Sequence, residues 1–242
     1  MPAIQHVALP HSPLYRVARP PDPFVPPDWG YARPDGTFDG RYDDPRGRRG
    51  VPPSDRYRVL YFASHPLGAY GETVAQFRPS IKVVGQYAGR DPFGSRPLIP
   101  RDWRVGRRLG AAVLFVTLPL ADVEEAETVQ ALRPVLAPVA VRLGLVDIDL
   151  SAITGPRREL TQEAGLHVYN QRDAHGRPRY AGIRYVSRLK REWECWAVFA
   201  DRVRQRPLRI DPIAADDPHL YEAARILGLA IEGDRGGLIV PS

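Results

Sequence analysis

The order in which strand-like and helix-like segments follow one another constrains the fold of this chain most. These segments do not alternate regularly, and no glycine-rich phosphate loop follows the first strong strand pattern, residues 60–63. A doubly wound nucleotide-binding fold has both features. We therefore predict an α+β fold in which helices flank a mixed sheet and some loops are long and rich in proline and glycine.

Proline and glycine mark the irregular parts of the chain. Residues 19–53 are crowded with proline, glycine and aspartate, so we expect a long loop there. Residues 89–110 predict a second, turn-rich stretch. Runs of apolar and β-branched residues predict strands at 60–63, 81–88, 111–118, 146–150, 165–169, 181–186 and 195–200.

Two long helices are predicted in the second half of the chain. The first covers residues 121–145, with acids in its first turn and an interruption around Pro134 and Pro138. The second closes the chain, beginning at Pro218 and stopping at Gly228, which are typical residues for these two positions.

A strand, a tight turn and a helix are predicted together over residues 60–78. Ser64 can cap the helix, and Pro66 suits its first turn. Glu72 is the only acid of this unit and lies off the apolar face of the helix, so a solvated carboxylate is one interpretation and a functional carboxylate is the other. The apolar face consists of Leu67, Tyr70, Val74 and Phe77.

The composition bounds the size and class of the protein. The chain has 242 residues, of which 43% are hydrophobic and 26% charged, so it can bury a substantial core as one domain over residues 1–242. Its formal net charge is +6, and all but two of its 34 basic residues are arginines. Arginine suits bidentate recognition of phosphate. The same composition is also typical of a GC-rich genome, and both explanations stay open here.

Several features that are missing from the sequence exclude further classes of protein. No apolar run approaches the roughly 20 residues that span a bilayer, and the N-terminal residues lack a basic segment followed by an apolar one, so we expect a cytoplasmic protein without a membrane span. Cys195 is the only cysteine, which excludes an intrachain disulfide, and we expect it to be inert in an apolar strand. The six histidines show no metal-ligand spacing, so we predict no metal site.

Five short segments carry polar residues in an order that resembles the RES-domain family, named for an arginine, a glutamate and a serine. That family includes bacterial toxins of toxin–antitoxin pairs. The resemblance covers residues 14–199 and implies one RES-like domain, with residues 200–242 as a C-terminal extension that contains a helix. The segments are LYRV with Arg16, GRYDDP with Arg41 and Tyr42, LYFAS with Tyr61, GETV with Glu72, and GIRYVSR with Ser187.

This resemblance implies a fold and an activity. The expected fold is related to ADP-ribosyltransferases, with a split β-sheet flanked by helices. The expected activity destroys NAD by cleaving the bond between nicotinamide and ribose, with water or phosphate as the acceptor. NAD would be a substrate, so no cofactor is expected. A helix-turn-helix antitoxin is the implied protein partner.

The resemblance also implies roles for individual residues. Arg16 and Arg41 would fix the pyrophosphate with their guanidinium forks, and Tyr42 would contribute to the same substrate-binding region. Glu72 would stabilise the oxocarbenium-like transition state of glycosidic cleavage. Tyr61 would stack on nicotinamide or ribose, and Ser187 would offer its hydroxyl to the same ligand. The implied catalytic residues are Arg16, Tyr61, Glu72 and Ser187.

One segment departs from the family pattern. The family usually has a tryptophan and an asparagine after its second arginine, whereas this chain reads RYDD from Arg41. A carboxylate at Asp43 near a pyrophosphate is unfavourable unless it pairs with Arg41 or Arg46. Loss of catalysis on a retained scaffold is therefore one alternative.

Two other functions remain open. A mono-ADP-ribosyltransferase would use the same residues but would modify a protein. A non-catalytic module that binds nucleic acid is the third reading, supported by a basic run at residues 96–108 that contains Trp103. That run lacks the repeated aromatic platforms of single-strand binders, so we do not expect direct binding of nucleic acid.

Overall fold

A mixed sheet of eight strands forms the centre of the protein in the computed structural model, which describes residues 3–86 and 97–241. The strands in chain order are β1 (His6–Val7), β2 (Leu14–Ala18), β3 (Val59–Ala63), β4 (Leu98–Ile99), β5 (Arg108–Phe115), β6 (Leu120–Asp122), β7 (Gly182–Val186), β8 (Glu194–Phe199), β9 (Arg204–Pro212), β10 (Ala230–Glu232) and β11 (Leu238–Ile239). The α-helices are α1 (Pro66–Val74), α2 (Ile81–Gln86), α3 (Arg101–Val105), α4 (Ala126–Arg142), α5 (Leu150–Ile153), α6 (Arg158–Asn170) and α7 (Pro218–Leu227).

The strands of the main sheet lie in the order β1-β6-β7-β8-β3-β2-β5-β9. Neighbouring strands are antiparallel except β6 and β7, which run parallel. A smaller sheet has the order β11-β10-β4. Helices and a mixed sheet in this irregular order agree with the predicted α+β class, and β9 and α7 integrate the predicted C-terminal extension into the same structure.

The main sheet is weakest between β2 and β3. One residue pair, Tyr15 opposite Ala63, joins these two strands. By contrast, five pairs join β2 to β5, and five join β3 to β8. The sheet therefore consists of a five-stranded half ending at β3 and a three-stranded half beginning at β2, joined by this one residue pair.

The predicted strand-turn-helix unit is confirmed as β3 and α1. Strand β3 is buried along most of its length because its side chains are apolar on both faces. The helix begins at Pro66, as predicted, but its cap is the ring of His65, which accepts a hydrogen bond from the Leu67 amide. The prediction that Ser64 caps the helix is wrong, because the Ser64 hydroxyl bonds Glu194 and Trp196 instead.

The C-terminal helix is also confirmed. Asp217 caps its first turn and Gly228 ends it at φ 69°, a left-handed conformation that favours glycine. Helix α7 packs on α1, and the Tyr70 hydroxyl donates to Asp217 at 2.9 Å. The orientation of α1 thus depends on a segment far along the chain.

Three predicted strands are wrong. Residues 81–86 form helix α2, whose exposed residues pair with no described strand. Residues 165–169 belong to helix α6, because Leu160, Ala164 and Val168 recur at four-residue spacing and bury one helical face. Residues 146–150 form no strand. Asp149 caps the short helix α5 there, through its hydrogen bond to the Ala152 amide.

Two further predictions need correction. The helix predicted over residues 121–145 begins only at Ala126, because residues 120–122 form strand β6, and it ends at Arg142. It also continues without interruption through Pro134 and Pro138, although each proline removes a backbone donor, because it buries Leu132 and Leu136 in the core. The turn-rich stretch predicted over residues 89–110 falls partly on 89–96, and the predicted strand at 81–88 ends on 87–88; both parts lie outside the described residues. The remainder of the stretch contains β4, α3 and the start of β5.

The long loop predicted over residues 19–53 is confirmed. It contains only 3₁₀ turns, at Trp29–Tyr31 and Pro45–Arg49, with a third at Pro53–Asp55 beside its end. Over the described part of the chain, no helix combines the length and the apolar character that a membrane span requires.

Candidate active site at the joint between the sheet halves

A cleft of about 210 Å³ lies at the joint between β2 and β3 and is lined by both strands and by α1. Arg16 from β2, Tyr61 from β3 and Glu72 from α1 line this cleft. Ser187, at the end of β7, contacts Glu72 directly. The structure thus brings together the four residues for which the sequence resemblance implies catalytic roles.

Glu72 is held from both sides. Its side chain is 28% exposed, which leaves part of the carboxylate open to the cleft. The buried Ser187 hydroxyl donates a hydrogen bond to one carboxylate oxygen and accepts one from the Leu189 amide at 3.1 Å. The other carboxylate oxygen lies 4.0 Å from a terminal nitrogen of Arg41. Glu72 is therefore an oriented, partly accessible carboxylate and not a freely solvated one.

Arg41 is a buried cation with incomplete hydrogen bonding. Only 5% of it is exposed, and its guanidinium lies 4.9 Å from the centre of the Tyr185 ring. Its Nε and Nη1 atoms have no partner of normal hydrogen-bond geometry among the described residues. Burial opposes its charge, but Tyr185, Tyr42 and Glu72 favour it and raise the pKa of Arg41. Arg41 therefore remains charged, although two of its buried donors have no hydrogen-bond partner.

Arg16 has a different environment. Its Nε donates to the Pro23 carbonyl at 2.7 Å, and its Nη1 donates to the Tyr61 carbonyl at 3.2 Å. Burial lowers the pKa of Arg16 to about 10, although Asp43 opposes that shift. The bond to Tyr61 ties β2 to β3 across their weak joint, and the bond to Pro23 ties β2 to the long loop, so much of the Arg16 fork serves the fold.

The hydroxyl of Tyr61 belongs to a closed polar network. It accepts from the Tyr42 amide at 2.9 Å and donates to Asp43 at 3.0 Å. The Gly40 amide donates to the second Asp43 oxygen. Burial raises the pKa of Asp43 to about 6. Asp43 thus pairs with neither Arg41 nor Arg46; it is Asp44 that pairs with Arg46, at 2.6 Å.

Gly40 makes this network possible. A Cβ at that position would lie 2.3 Å from the Asp43 carboxylate and 2.5 Å from the Tyr61 hydroxyl. Any larger residue would separate the partners, so only glycine allows the loop to approach β3 this closely.

Tyr42 lies behind the cleft. Its side chain has no exposed surface, and its ring packs edge-on against Tyr185 with centroids 5.3 Å apart. Burial raises the pKa of its phenol well above the ordinary value. This position does not agree with the prediction that Tyr42 contacts the substrate. Tyr42 supports Tyr185, which itself lines the cleft.

The sequence interpretation missed Tyr15 and Tyr185, which both line the cleft. Tyr185 precedes Ser187 by two residues at the end of β7, so strand periodicity could have placed both on one face. Cys195 also lines the cleft, but burial strongly raises the pKa of its thiol, and this disfavours a nucleophilic role. Within residues 3–86 and 97–241, no cluster of histidine, cysteine, aspartate and glutamate could hold a metal ion.

Comparison of the chain with models of protein families, with curated proteins and with solved structures found no match. The chemistry of the cleft therefore follows from its own residues. A carboxylate oriented by a serine hydroxyl lies among aromatic side chains, close to a buried arginine with unpartnered donors. Such a site can stabilise positive charge on a sugar and bind negative charge nearby.

Proposed function

We propose that this protein consumes NAD by cleaving the bond between nicotinamide and ribose. The observation that carries the proposal is the Glu72 carboxylate, which is partly exposed and bonded by Ser187. Cleavage of this bond develops positive charge on the ribose, and a fixed carboxylate in a low-dielectric cleft stabilises that charge. Water or phosphate would accept the ribosyl group.

The other cleft residues have roles consistent with this reaction. Ser187 donates its hydroxyl to Glu72 and so positions the carboxylate. Tyr15, Tyr61 and Tyr185 provide aromatic surfaces on which nicotinamide or ribose can pack. Arg16 holds the two strands that form the walls of the cleft, and it is a positioning residue in this scheme.

The resemblance to the RES-domain family supports the same proposal. The one-pair joint between β2 and β3 is compatible with a split sheet of the kind found in ADP-ribosyltransferases. By analogy, the cellular outcome would be NAD depletion and arrest of growth. A helix-turn-helix antitoxin that covers the cleft would prevent this outcome.

The test compares the parent protein with Glu72→Gln in buffers with and without phosphate, by following nicotinamide release from NAD. Gln keeps an acceptor for Ser187 but removes the charge, so we expect release to fall by about 100-fold or more. Glu127→Gln, which neutralises an exposed carboxylate on α4, is the matched control and keeps parent activity. Dependence on phosphate would identify phosphorolysis.

NAD that stays intact with the parent protein after long incubation would overturn the proposal. Equal release by the parent and Glu72→Gln would remove Glu72 from the mechanism. Radiolabel that passes from NAD to a protein instead of to free ADP-ribose would assign the transferase alternative.

A further inference from the structure

Trp193 lies between the two elements that carry Glu72 and Ser187. It directly precedes β8, its side chain is 3% exposed, and its ring packs against helix α1. We infer that Trp193 is a positioning residue that sets the contact between Glu72 and Ser187. Its effect on NAD cleavage rests on the proposed function, whereas its effect on the contact between the two side chains does not.

Gly71, the residue before Glu72, provides the first argument. A Cβ at this position would overlap Cζ3 and Cη2 of the Trp193 ring and would lie 2.8 Å from Cε3. Carbon atoms in ordinary contact are about 3.5–4.0 Å apart, so the indole occupies the space that a side chain would need. A Cβ at Gly68, one turn earlier on the same helical face, would lie 3.4 Å from the Trp193 Cβ. The backbone of α1 therefore packs directly on Trp193.

The backbone of Trp193 holds Ser187. The Ser187 amide donates to the Trp193 carbonyl at 2.9 Å, and the Trp193 amide donates to the Lys190 carbonyl at 3.0 Å. The Leu189 amide donates to the Ser187 hydroxyl at 3.1 Å within the same turn. Ser187 and the indole are therefore fixed relative to each other, because both belong to one hydrogen-bonded turn between β7 and β8.

These two sets of contacts determine where Glu72 meets Ser187. The indole fixes the helix backbone at Gly71, and the Ser187 hydroxyl donates to the carboxylate of the next residue. A hydrogen bond weakens steeply when its distance and angle depart from the preferred geometry. A methyl group added at Gly71 would have to shift α1 or the indole by about 1 Å or more, and a shift of this size misplaces the carboxylate.

The indole nitrogen supports a role that depends on the size of the ring. Trp193 Nε1 is buried and has no hydrogen-bond partner among the described residues. An unpaired buried donor costs free energy, and a phenylalanine would avoid this cost. The atoms that meet Gly71, Cζ3 and Cη2, lie at the far edge of the indole and have no counterpart in phenylalanine. The indole thus reaches the helix where a smaller aromatic ring would leave a gap.

Helix α1 has other contacts that hold it in the fold. It packs on α7, where Tyr70 donates to Asp217 at 2.9 Å. Its residues Ala69 and Val74 are buried in the main hydrophobic core. A change at Gly71 should therefore shift the helix within a folded protein, so kcat can be measured and corrected for the folded fraction.

The test adds a methyl group against the indole and then makes room for it. Gly71→Ala should lower kcat for NAD cleavage by about tenfold and change KM by less than about threefold, because Glu72 keeps its charge but loses its placement. Trp193→Phe alone should lower kcat by about fivefold, since it leaves the helix without this support. When both changes are combined, the methyl group fills the gap, and kcat should be at least about fivefold higher than in Gly71→Ala. Gly85→Ala on α2, where a Cβ has open space, is the control and keeps the parent kcat.

A second measurement requires no catalysis. A double-mutant cycle of Glu72→Ala and Ser187→Ala in urea unfolding measures the coupling between the two side chains. We expect this coupling to change the unfolding equilibrium constant of the parent by about fivefold. The coupling should vanish in the Gly71→Ala background and return when Trp193→Phe is added.

The outcomes separate the positioning role from the proposed enzyme. No coupling in the parent, or an unchanged coupling in Gly71→Ala, would overturn the positioning role whether or not NAD is cleaved. A combined variant that regains stability but stays as slow as Gly71→Ala would also overturn it, because Trp193 would then serve only the packing of the fold. If the parent leaves NAD intact, a coupling that is lost in Gly71→Ala and restored by Trp193→Phe would retain the positioning role and reject only the enzyme.

Discussion

The two sides of Tyr61 differ in how their polar groups are satisfied. On the Asp43 side, which we define by Gly40, Tyr42 and Asp43, the carboxylate accepts hydrogen bonds from Tyr61 and Gly40 within a buried network. On the Glu72 side, which we define by Arg41, Glu72 and Ser187, the carboxylate is partly exposed and buried arginine donors lack partners.

This difference indicates that the Asp43 side stabilises the fold and that the Glu72 side is available for chemistry. A satisfied network rigidifies the fold, and its donors and acceptors already have partners within the protein. The Glu72 carboxylate, by contrast, is partly exposed and lines the cleft, so a ligand can contact it directly. We therefore expect substitutions on the Asp43 side to change mainly stability and those on the Glu72 side to change mainly activity.

Tyr61→Phe gives the largest expected effect on the Asp43 side. It leaves the Tyr42 amide and the Asp43 carboxylate without their shared partner, so the free energy of unfolding should fall by about 2–4 kcal/mol. The aromatic ring remains, so NAD cleavage by the folded protein should stay within about tenfold of the parent. Urea unfolding and nicotinamide release measure the two effects.

Tyr31→Phe removes the hydroxyl of an exposed tyrosine and serves as the control for this substitution. Unchanged stability of Tyr61→Phe combined with loss of activity would reverse the assignment of the two sides.

The second largest expected effect is the pH dependence of stability that arises from the titration of Asp43. Burial raises its pKa from 3.8 to about 6, so the folded protein holds this proton more tightly than the unfolded chain does. The stability from this group is fully present below about pH 4 and is lost as the pH rises through 6. Between about pH 4 and pH 7, the parent should therefore lose roughly 2–3 kcal/mol of unfolding free energy relative to Asp43→Asn, which has no carboxyl group to titrate at this position.

Urea unfolding of both proteins at several pH values measures this difference, and titrations shared by the two proteins cancel in it. A difference that is constant with pH, or that moves in favour of the parent, would show that the Asp43 carboxylate is not desolvated as described.

Ser187→Ala gives the smallest expected effect and tests whether Ser187 positions the Glu72 carboxylate. Without the serine hydroxyl, Glu72 keeps its charge but loses its orientation, so kcat for NAD cleavage should fall by about tenfold. Stability should fall by about 1 kcal/mol, because two hydrogen bonds are lost but Glu72 is partly exposed and water can replace one of them. Ser151→Ala on α5 removes an exposed hydroxyl as the control, and a Ser187→Ala protein that is as active as the parent would contradict the positioning role.

Elements with both a hydrophobic pattern and terminal signals could be predicted from the sequence. Helix α7 has Asp217 and Pro218 at its start and Gly228 at its end, and these local signals act within one turn. Residues 165–169 have no such signal in a short window, because aromatic and β-branched residues there resemble a strand. The helical face of α6 becomes visible only when Leu160 and Ala164 are included.

The sequence predicted which residues meet at the site, but it could not predict what each of these residues does there. Arg16 and Arg41 cannot be distinguished by sequence. In the structure, the carbonyls of Pro23 and Tyr61 accept hydrogen bonds from Arg16, whereas two donors of Arg41 have no partner. The burial of Tyr42 depends on α6, where Gly165 lets the helix approach the Tyr42 backbone; a Cβ there would lie 2.8 Å from its carbonyl oxygen. Such tertiary contacts leave no local pattern.

The strand order has a consequence for the timing of assembly during synthesis. The cleft is lined from Tyr15 near the start of the chain to Cys195, about four-fifths of the way along it. The helix that carries Glu72 also leans on α7, which the ribosome makes still later. Pairings of such long range form late in folding. A nascent chain therefore lacks a complete cleft, and we expect any activity toward NAD to begin only after α7 has been synthesised.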